Sequence, residues 1–205
     1  MAVPEHERVS ADDFLRWVVT QSERFELVDG RIVRMMAGTR QNHAVVASNI
    51  LVALAPQAKR GGCRTTASDV AVRTSLGGIR YPDVVVDCGP PDPAALAAVR
   101  PVLVVEVSSP GTTTIDATDK LDEYRAHADI RVIALVEPDI VSLKLYRRDP
   151  EGEWRVERYD DLSDIIELPE IGASLSLVDL YDTLHPTVRP KFQLVGGRLP
   201  EGADL

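Results

Sequence analysis

Two carboxylates, Asp83 in 81-YPDVVVD-87 and Glu106 in 101-PVLVVEVSSPG-111, stand in unusual company. Glu106 interrupts Val102, Leu103, Val104, Val105 and Val107, a β-branched run that reads as a strand buried on both faces and closed by Ser-Ser-Pro-Gly. Burying an unpaired charge costs several kcal/mol, so Glu106 must lie where the strand opens to solvent or where something cationic meets it. If 79–87 and 101–108 pair antiparallel, the start of one strand lies beside the end of the other and the two carboxylates converge. Converging carboxylates repel unless a cation sits between them, and a hard divalent ion prefers oxygen ligands. Such an ion polarises a phosphoryl or carbonyl oxygen and lowers the pKa of bound water. In 115-IDATDKLDEY-124, Asp116, Lys120 and Tyr124 recur at i, i+4 and i+8 and share one helical face. Lys120 can place an ammonium beside the carboxylates and steady developing negative charge. The same spacing also reads as an ordinary Asp116–Lys120 surface pair worth about 0.3 kcal/mol.

The elements that position these residues follow from periodicity and breakers. Ser10 caps a short helix whose Phe14, Trp17 and Val18 share a face. The segment 25-FELVDGRIVRM-35 is two strands around Asp29-Gly30, a hairpin signal. Apolar positions Val45, Val46, Ile50, Leu51 and Leu54 predict a helix that Pro56 and Gly61-Gly62 terminate. A hairpin of 63–74 with 79–87 follows, then the strand at 101–108, a helix over 114–127 and a buried strand at 131–137. The step from 101–108 to 131–136 needs a crossover and is parallel, giving a mixed α/β sheet flanked by helices. From 141 short strands alternate in an acidic meander, with a helical turn at 178–184. Residues 1–184 therefore read as one domain and 185–205 as a loose extension.

Composition narrows the classes. The 205 residues are 44% hydrophobic and 27% charged, ordinary for a soluble globular protein. No apolar run spans a bilayer, and the acidic N-terminus lacks the features of a signal peptide. Cys63 and Cys88 have neither metal-site spacing nor partnering histidines, and they read as small core thiols of a reducing cytoplasm. A net charge of −9 argues against indiscriminate binding of nucleic acid. Residues 31–80 are nevertheless basic: Arg31, Arg34, Arg40, Lys59, Arg60, Arg64, Arg73 and Arg80 face only Asp69. That segment reads either as a phosphate-facing surface, with Arg64, Arg73 and Arg80 as contacts, or as a solvated face balanced by acids nearby in space.

Asp83, then Glu106-Val107-Ser108 in a strand, then Lys120, in this order of elements, resemble the PD-(D/E)XK nuclease superfamily. More narrowly the chain resembles the Uma-two family of restriction endonucleases, through "FELVDGRIVRM", the helix with "NH", "YPDVVV", "LVVEVSSPGT", "DATDKLDEY" and "LSLVDLYD". The resemblance implies a restriction-endonuclease-like core with flanking helices and an added C-terminal β-meander. It also implies hydrolysis of phosphodiester bonds dependent on Mg2+ or Mn2+, with Asp83 and Glu106 as metal ligands. The lysine expected two residues after Glu106 is replaced by Ser108, and Lys120 on the following helix matches the position from which the narrower family supplies it. Ser108 then either hydrogen-bonds in the site or caps its strand. Glu26 and His43 are implied near the site, Glu26 as a third carboxylate or half of a hairpin salt bridge, His43 as a phosphate donor or a helix cap. DNA is the implied substrate and a homodimer the implied assembly, with no membrane partner. The alternative is an inactive DNA- or protein-binding module of the same fold.

Overall fold

The computed structural model describes residues 8–35, 38–74, 76–109 and 114–188, of which 114–117 are described by backbone alone. In chain order the elements are α1 (Ala11–Val18), β1 (Phe25–Val28), β2 (Arg31–Arg34), α2 (Gln41–Arg60), β3 (Arg64–Ala67), β4 (Val72–Arg73), β5 (Ile79–Arg80), β6 (Val84–Asp87) and β7 (Pro101–Val107). They continue with α3 (Thr114–Ala126), β8 (Val132–Val136), β9 (Leu143–Arg148), β10 (Trp154–Tyr159), β11 (Ile165–Leu168), β12 (Ala173–Ser176) and α4 (Leu177–Leu180).

A six-stranded mixed sheet of order β10-β9-β8-β7-β6-β3 forms the middle layer. Alternation along β7 divides the core. Leu103, Val105 and Val107 face the α2 side with Val46, Ile50, Leu54 and Ala58, whereas Val104 faces Tyr124 of α3 with Val85 and Ile133. Both faces of β7 are thus covered, which explains its continuous apolar run. β6 pairs antiparallel with β7, with Val84 opposite Val105, and β7 pairs parallel with β8, with Glu106 opposite Leu135. β9 and β10 extend this central sheet, and the remaining part of the expected meander, β11 and β12, packs as a separate pair against α2.

A second sheet, β2-β1-β5-β4, packs with α1 through Phe14, Leu15, Leu27 and Ile79. Asp29 (φ 48°) and Gly30 (φ 73°) turn β1 into β2 with both residues left-handed, as a type I′ hairpin requires. Gly78 lets β5 approach β1, since a Cβ there would lie 2.8 Å from the Leu27 carbonyl oxygen.

Several expectations need correction. The hairpin of 63–74 with 79–87 is forked: β3 pairs with β6 in the central sheet, but β4 pairs with β5 in the smaller one. Residues 81–83, which include Pro82, carry the chain from one sheet to the other. Pro56 does not end α2, which runs to Arg60 and is closed by Gly61. Proline removes only the bond to the carbonyl four residues back, here Val52 on the exposed side, while Leu54 and Ala58 keep the turn packed. Cys63 and Cys88 are not free thiols but a disulfide. Arg64 pairs with Asp87, so the next residues outward, 63 and 88, meet across the strands. The inference from free thiols to a reducing cytoplasm falls with that bond. No described helix is long and apolar enough to cross a membrane. Thr187 forms a bridge with Ile140, so the expected extension begins attached to the domain, while 189–205 lie outside the described residues.

Candidate active site

The β6–β7 register brings Asp83 and Glu106 to one sheet edge. The Val107 N–H donates to Asp83 Oδ2 at 2.8 Å, fixing the aspartate across from the end of β7. Glu106 has the same strand parity as Val104 and so points to the α3 side, where Tyr124 Oη donates to its Oε1 at 2.7 Å. Lys120, one turn before Tyr124, brings its Nζ to 3.9 Å from Glu106 Oε1 and 3.2 Å from Glu26 Oε1. His43, at the start of α2, approaches from the other helix layer and places Nε2 3.3 Å from Asp83 Oδ2. Asp83, Glu106, Lys120, Tyr124 and His43, with Glu26 on β1, thereby share one corner of the fold.

The electrostatics set this corner apart. Burial pushes the Glu106 carboxyl up to about 7; Asp83 and Glu26 add to the rise, while Lys120 and the Tyr124 hydrogen bond oppose it. Its side chain still retains 20% exposure, so the carboxylate is within reach of a bound molecule. The hydrogen bond to Asp83 raises the His43 pKa, against the opposing effect of burial, with further help from Val107 and Glu106. Burial, the Glu106 charge and its hydrogen bond keep the Tyr124 phenol protonated and donating.

The other expected residues fall as follows. Glu26 is a buried salt-bridge acid whose partners lie outside its hairpin: Oε2 accepts from Arg80 at 2.9 Å and Oε1 from the Tyr81 N–H at 3.2 Å. His43 is no cap of its own helix; its N–H is accepted by the Asn42 side chain and its imidazole faces Asp83. Ser108 donates to Glu137 Oε1 at 3.0 Å, linking the ends of β7 and β8. The Asp116 side chain lies outside the described residues. Arg80 is a correction to the phosphate-facing set: it is 1% exposed, and Glu123 holds it through bonds of 2.9 and 2.7 Å. Arg64 pairs with Asp87 at the far end of β6, and Arg73 pairs with Asp12. Arg34 and Arg40 also have acidic partners, Glu23 and Asp139. Much of the basic segment is therefore balanced by acids from elsewhere in the chain. Sequence reasoning missed Glu123, three residues beyond Lys120 and so on the same side of its helix, a spacing that could have marked it.

A family model described as "Putative restriction endonuclease", Uma2, matches residues 11–179. The chain belongs to this family. It is 30% identical over 176 residues to the "Uncharacterized protein slr1290" of Synechocystis sp. (strain ATCC 27184 / PCC 6803 / Kazusa), a match covering 85% of this chain and 92% of that one. Its fold is similar, with a TM-score of 0.68 at 18% identity, to the crystal structure of "a putative nuclease belonging to DUF820" from Anabaena variabilis, over 84% of this chain and 97% of that one. Asp83, Glu106 and Lys120 all lie inside the matched span.

Proposed function

We propose that this member of the family is a divalent-metal-dependent endonuclease that hydrolyses phosphodiester bonds of DNA. The observation that carries the reading is the convergence of Asp83, Glu106 and Lys120 at the open end of β7.

Charge supports Mg2+ or Mn2+ as the cofactor. In the buried cluster Arg80 and Lys120 are shared with Glu26 and Glu123, Asp83 has the His43 imidazole, and Glu106 meets the Lys120 ammonium only at 3.9 Å. A divalent ion between Asp83 and Glu106 would therefore relieve their mutual repulsion. Among those residues, too, no group of three or more His, Cys, Asp or Glu side chains is arranged to hold an ion. Two carboxylates suit Mg2+ nonetheless, because it retains several waters and binds through one or two carboxylates plus substrate phosphate. The bound ion would supply Lewis-acid stabilisation of phosphoryl oxygens and a more acidic water. The chain's own residues do the rest. Val107 and His43 hold Asp83 on one side; Tyr124 holds Glu106 on the other. The Lys120 ammonium stabilises charge developing on the phosphate, a role worth roughly a hundredfold or more in rate for a preorganised group. A two-fold homodimer would offer one such site to each strand of a duplex, and light scattering at twice the 22.4 kDa chain mass would bear it out.

The internal pairing of Arg64, Arg73 and Arg80 favours a second reading, a module of the same fold that binds a partner without cutting it. Incubation of plasmid, single-stranded DNA and RNA with Mn2+ or Mg2+ separates the two. Cleavage of DNA by the wild type and its loss in Asp83→Asn support the nuclease; equal residual cleavage by both proteins overturns it.

A further inference from the structure

Among the described residues Arg80 is the largest fully buried side chain, and burying it has a definite geometry. Its guanidinium joins three elements. It extends from β5, takes Glu123 of α3 through two bonds, and takes Glu26 Oε2 of β1 through a third. Burial alone would lower the arginine pKa, but the carboxylates of Glu123 and Glu26 more than reverse this. The same elements carry or adjoin the site: α3 bears Lys120, β1 bears Glu26, and Asp83 follows β5 by three residues. Glu26 is gripped at both oxygens, Oε2 by Arg80 and Oε1 by the Tyr81 N–H. The oxygen held by Tyr81 is the one that faces Lys120 Nζ at 3.2 Å.

We propose that Arg80 and Glu123 are positioning residues, a buried clamp that fixes Glu26 and the third turn of α3 so that the Lys120 ammonium is held beside Glu106. The proposal rests on the nuclease reading for its catalytic consequence, but not for its geometric one. A buried ion pair contributes little net stability compared with apolar residues of similar volume, so stability alone gives no reason for charge here. Fixing the direction of one carboxylate does. Without Arg80, Glu26 keeps only the Tyr81 N–H on Oε1, and its released Oε2 can turn toward Lys120 and draw the ammonium away from Glu106.

The test replaces the pair by apolar groups, Arg80→Met with Glu123→Leu, and uses Glu123→Gln as a milder variant that preserves volume should the double variant fail to fold. The chain's lysines are Lys59, Lys120, Lys144 and Lys191, so a lysine-15N-labelled sample has few side-chain ammonium signals, and Lys120→Met assigns the relevant one. In the wild type the Lys120 ammonium should exchange hydrogen with water several-fold more slowly than that of Lys59. In either clamp variant its resonance should move and its exchange should quicken. With DNA and Mn2+, kcat should fall by about tenfold to a hundredfold, as a small misplacement of a catalytic group does, with KM little changed. In a Lys120→Met background the same clamp changes should cost less than about twofold, since the group they position is gone. An unchanged Lys120 signal in a folded clamp variant, or an equal fall of kcat in both backgrounds, overturns the proposal. A Lys120 signal that shifts while no protein, wild type included, cuts DNA supports the clamp and refutes the nuclease reading instead.

Discussion

The four-residue strand β6 is flanked by an aspartate at one end and finishes with an aspartate at the other, and the two live in opposite circumstances. Asp87 is saturated. It accepts from the N–H groups of Gly89 at 2.8 Å, Arg100 at 2.8 Å and Val99 at 3.1 Å, and from Arg64 at 3.1 Å. Burial alone would raise its pKa, but those donors bring it below the usual carboxylate value. At the other end Asp83 lies beside Glu106, another acid, and burial and like charge hold Glu106 near 7. One end ties the 89–100 loop to the sheet; the other stores repulsion that a cation would relieve. Residue type is the same and side-chain exposure is low at both ends, 18% at Asp83 and 10% at Asp87. The number of donors facing each carboxylate is thus what distinguishes the saturated acid from the one proposed to hold a cation.

The largest effect that can break this comparison is on folding. Asp87→Ala leaves the backbone donors of Gly89, Val99 and Arg100 without their acceptor, while Arg64, partly exposed, keeps the Gly89 carbonyl. It should destabilise the protein by about 1–3 kcal/mol for each donor left buried and unsatisfied. Asp83→Asn should change stability little in the absence of metal, or raise it by relieving repulsion. Urea unfolding of both variants checks this; equal losses would mean that both ends are structural.

The pH dependence of stability should also differ in sign between the two ends. Glu106 holds its proton in the folded protein up to about 7, whereas the unfolded chain releases it near 4.5. Its contribution therefore falls as pH rises across that window. His43, raised from 6.5, works in the same direction: its stabilisation is present below that value and is lost as pH climbs through the folded pKa. Asp87, lowered from 3.8, works in reverse, and its stabilisation is lost as pH falls toward the folded value. Denaturation of the metal-free protein between pH 5 and 8 should show a decline of up to a few kcal/mol, since each tenfold difference in proton affinity between folded and unfolded chain is worth about 1.4 kcal/mol. Glu106→Gln should flatten most of that decline. A wild-type slope matched by Glu106→Gln would place Glu106 in water rather than at a charged, desolvated site.

Legibility in the sequence followed the same divide. Asp83 and Glu106 were readable as a pair because β6 and β7 are apolar runs whose antiparallel pairing dictates which ends meet. Lys120 was readable because a parallel crossover must return a helix over the same edge. The saturated end was not: Arg64 and Asp87 carry no local signal, and the disulfide beyond them follows from a register that only the fork of 63–80 between two sheets creates. Arg80 was misread for a similar reason. Its partners Glu26 and Glu123 lie 54 and 43 residues away, and a lone arginine in a basic stretch looks the same whether it faces phosphate or fills a core.

The smallest effect concerns that basic stretch. Arg64 and Arg73 are occupied by Asp87 and Asp12, so Arg73→Gln, alone or with Arg64→Gln, should leave the slope of log affinity against log salt for DNA nearly unchanged. A slope shallower by about one unit per arginine would restore them as phosphate contacts.

That Asp83 and Glu106 together form a cation site is tested most directly by calorimetric titration of Mn2+ into wild type, Asp83→Asn, Glu106→Gln and Lys120→Met. One ion should bind per wild-type chain, and each carboxylate variant should lose affinity by tenfold or more, at least about 1.4 kcal/mol. Lys120→Met should bind equally or more tightly, because a nearby positive charge is gone. Equal binding by wild type and both carboxylate variants, or no binding by the wild type, would contradict the shared site.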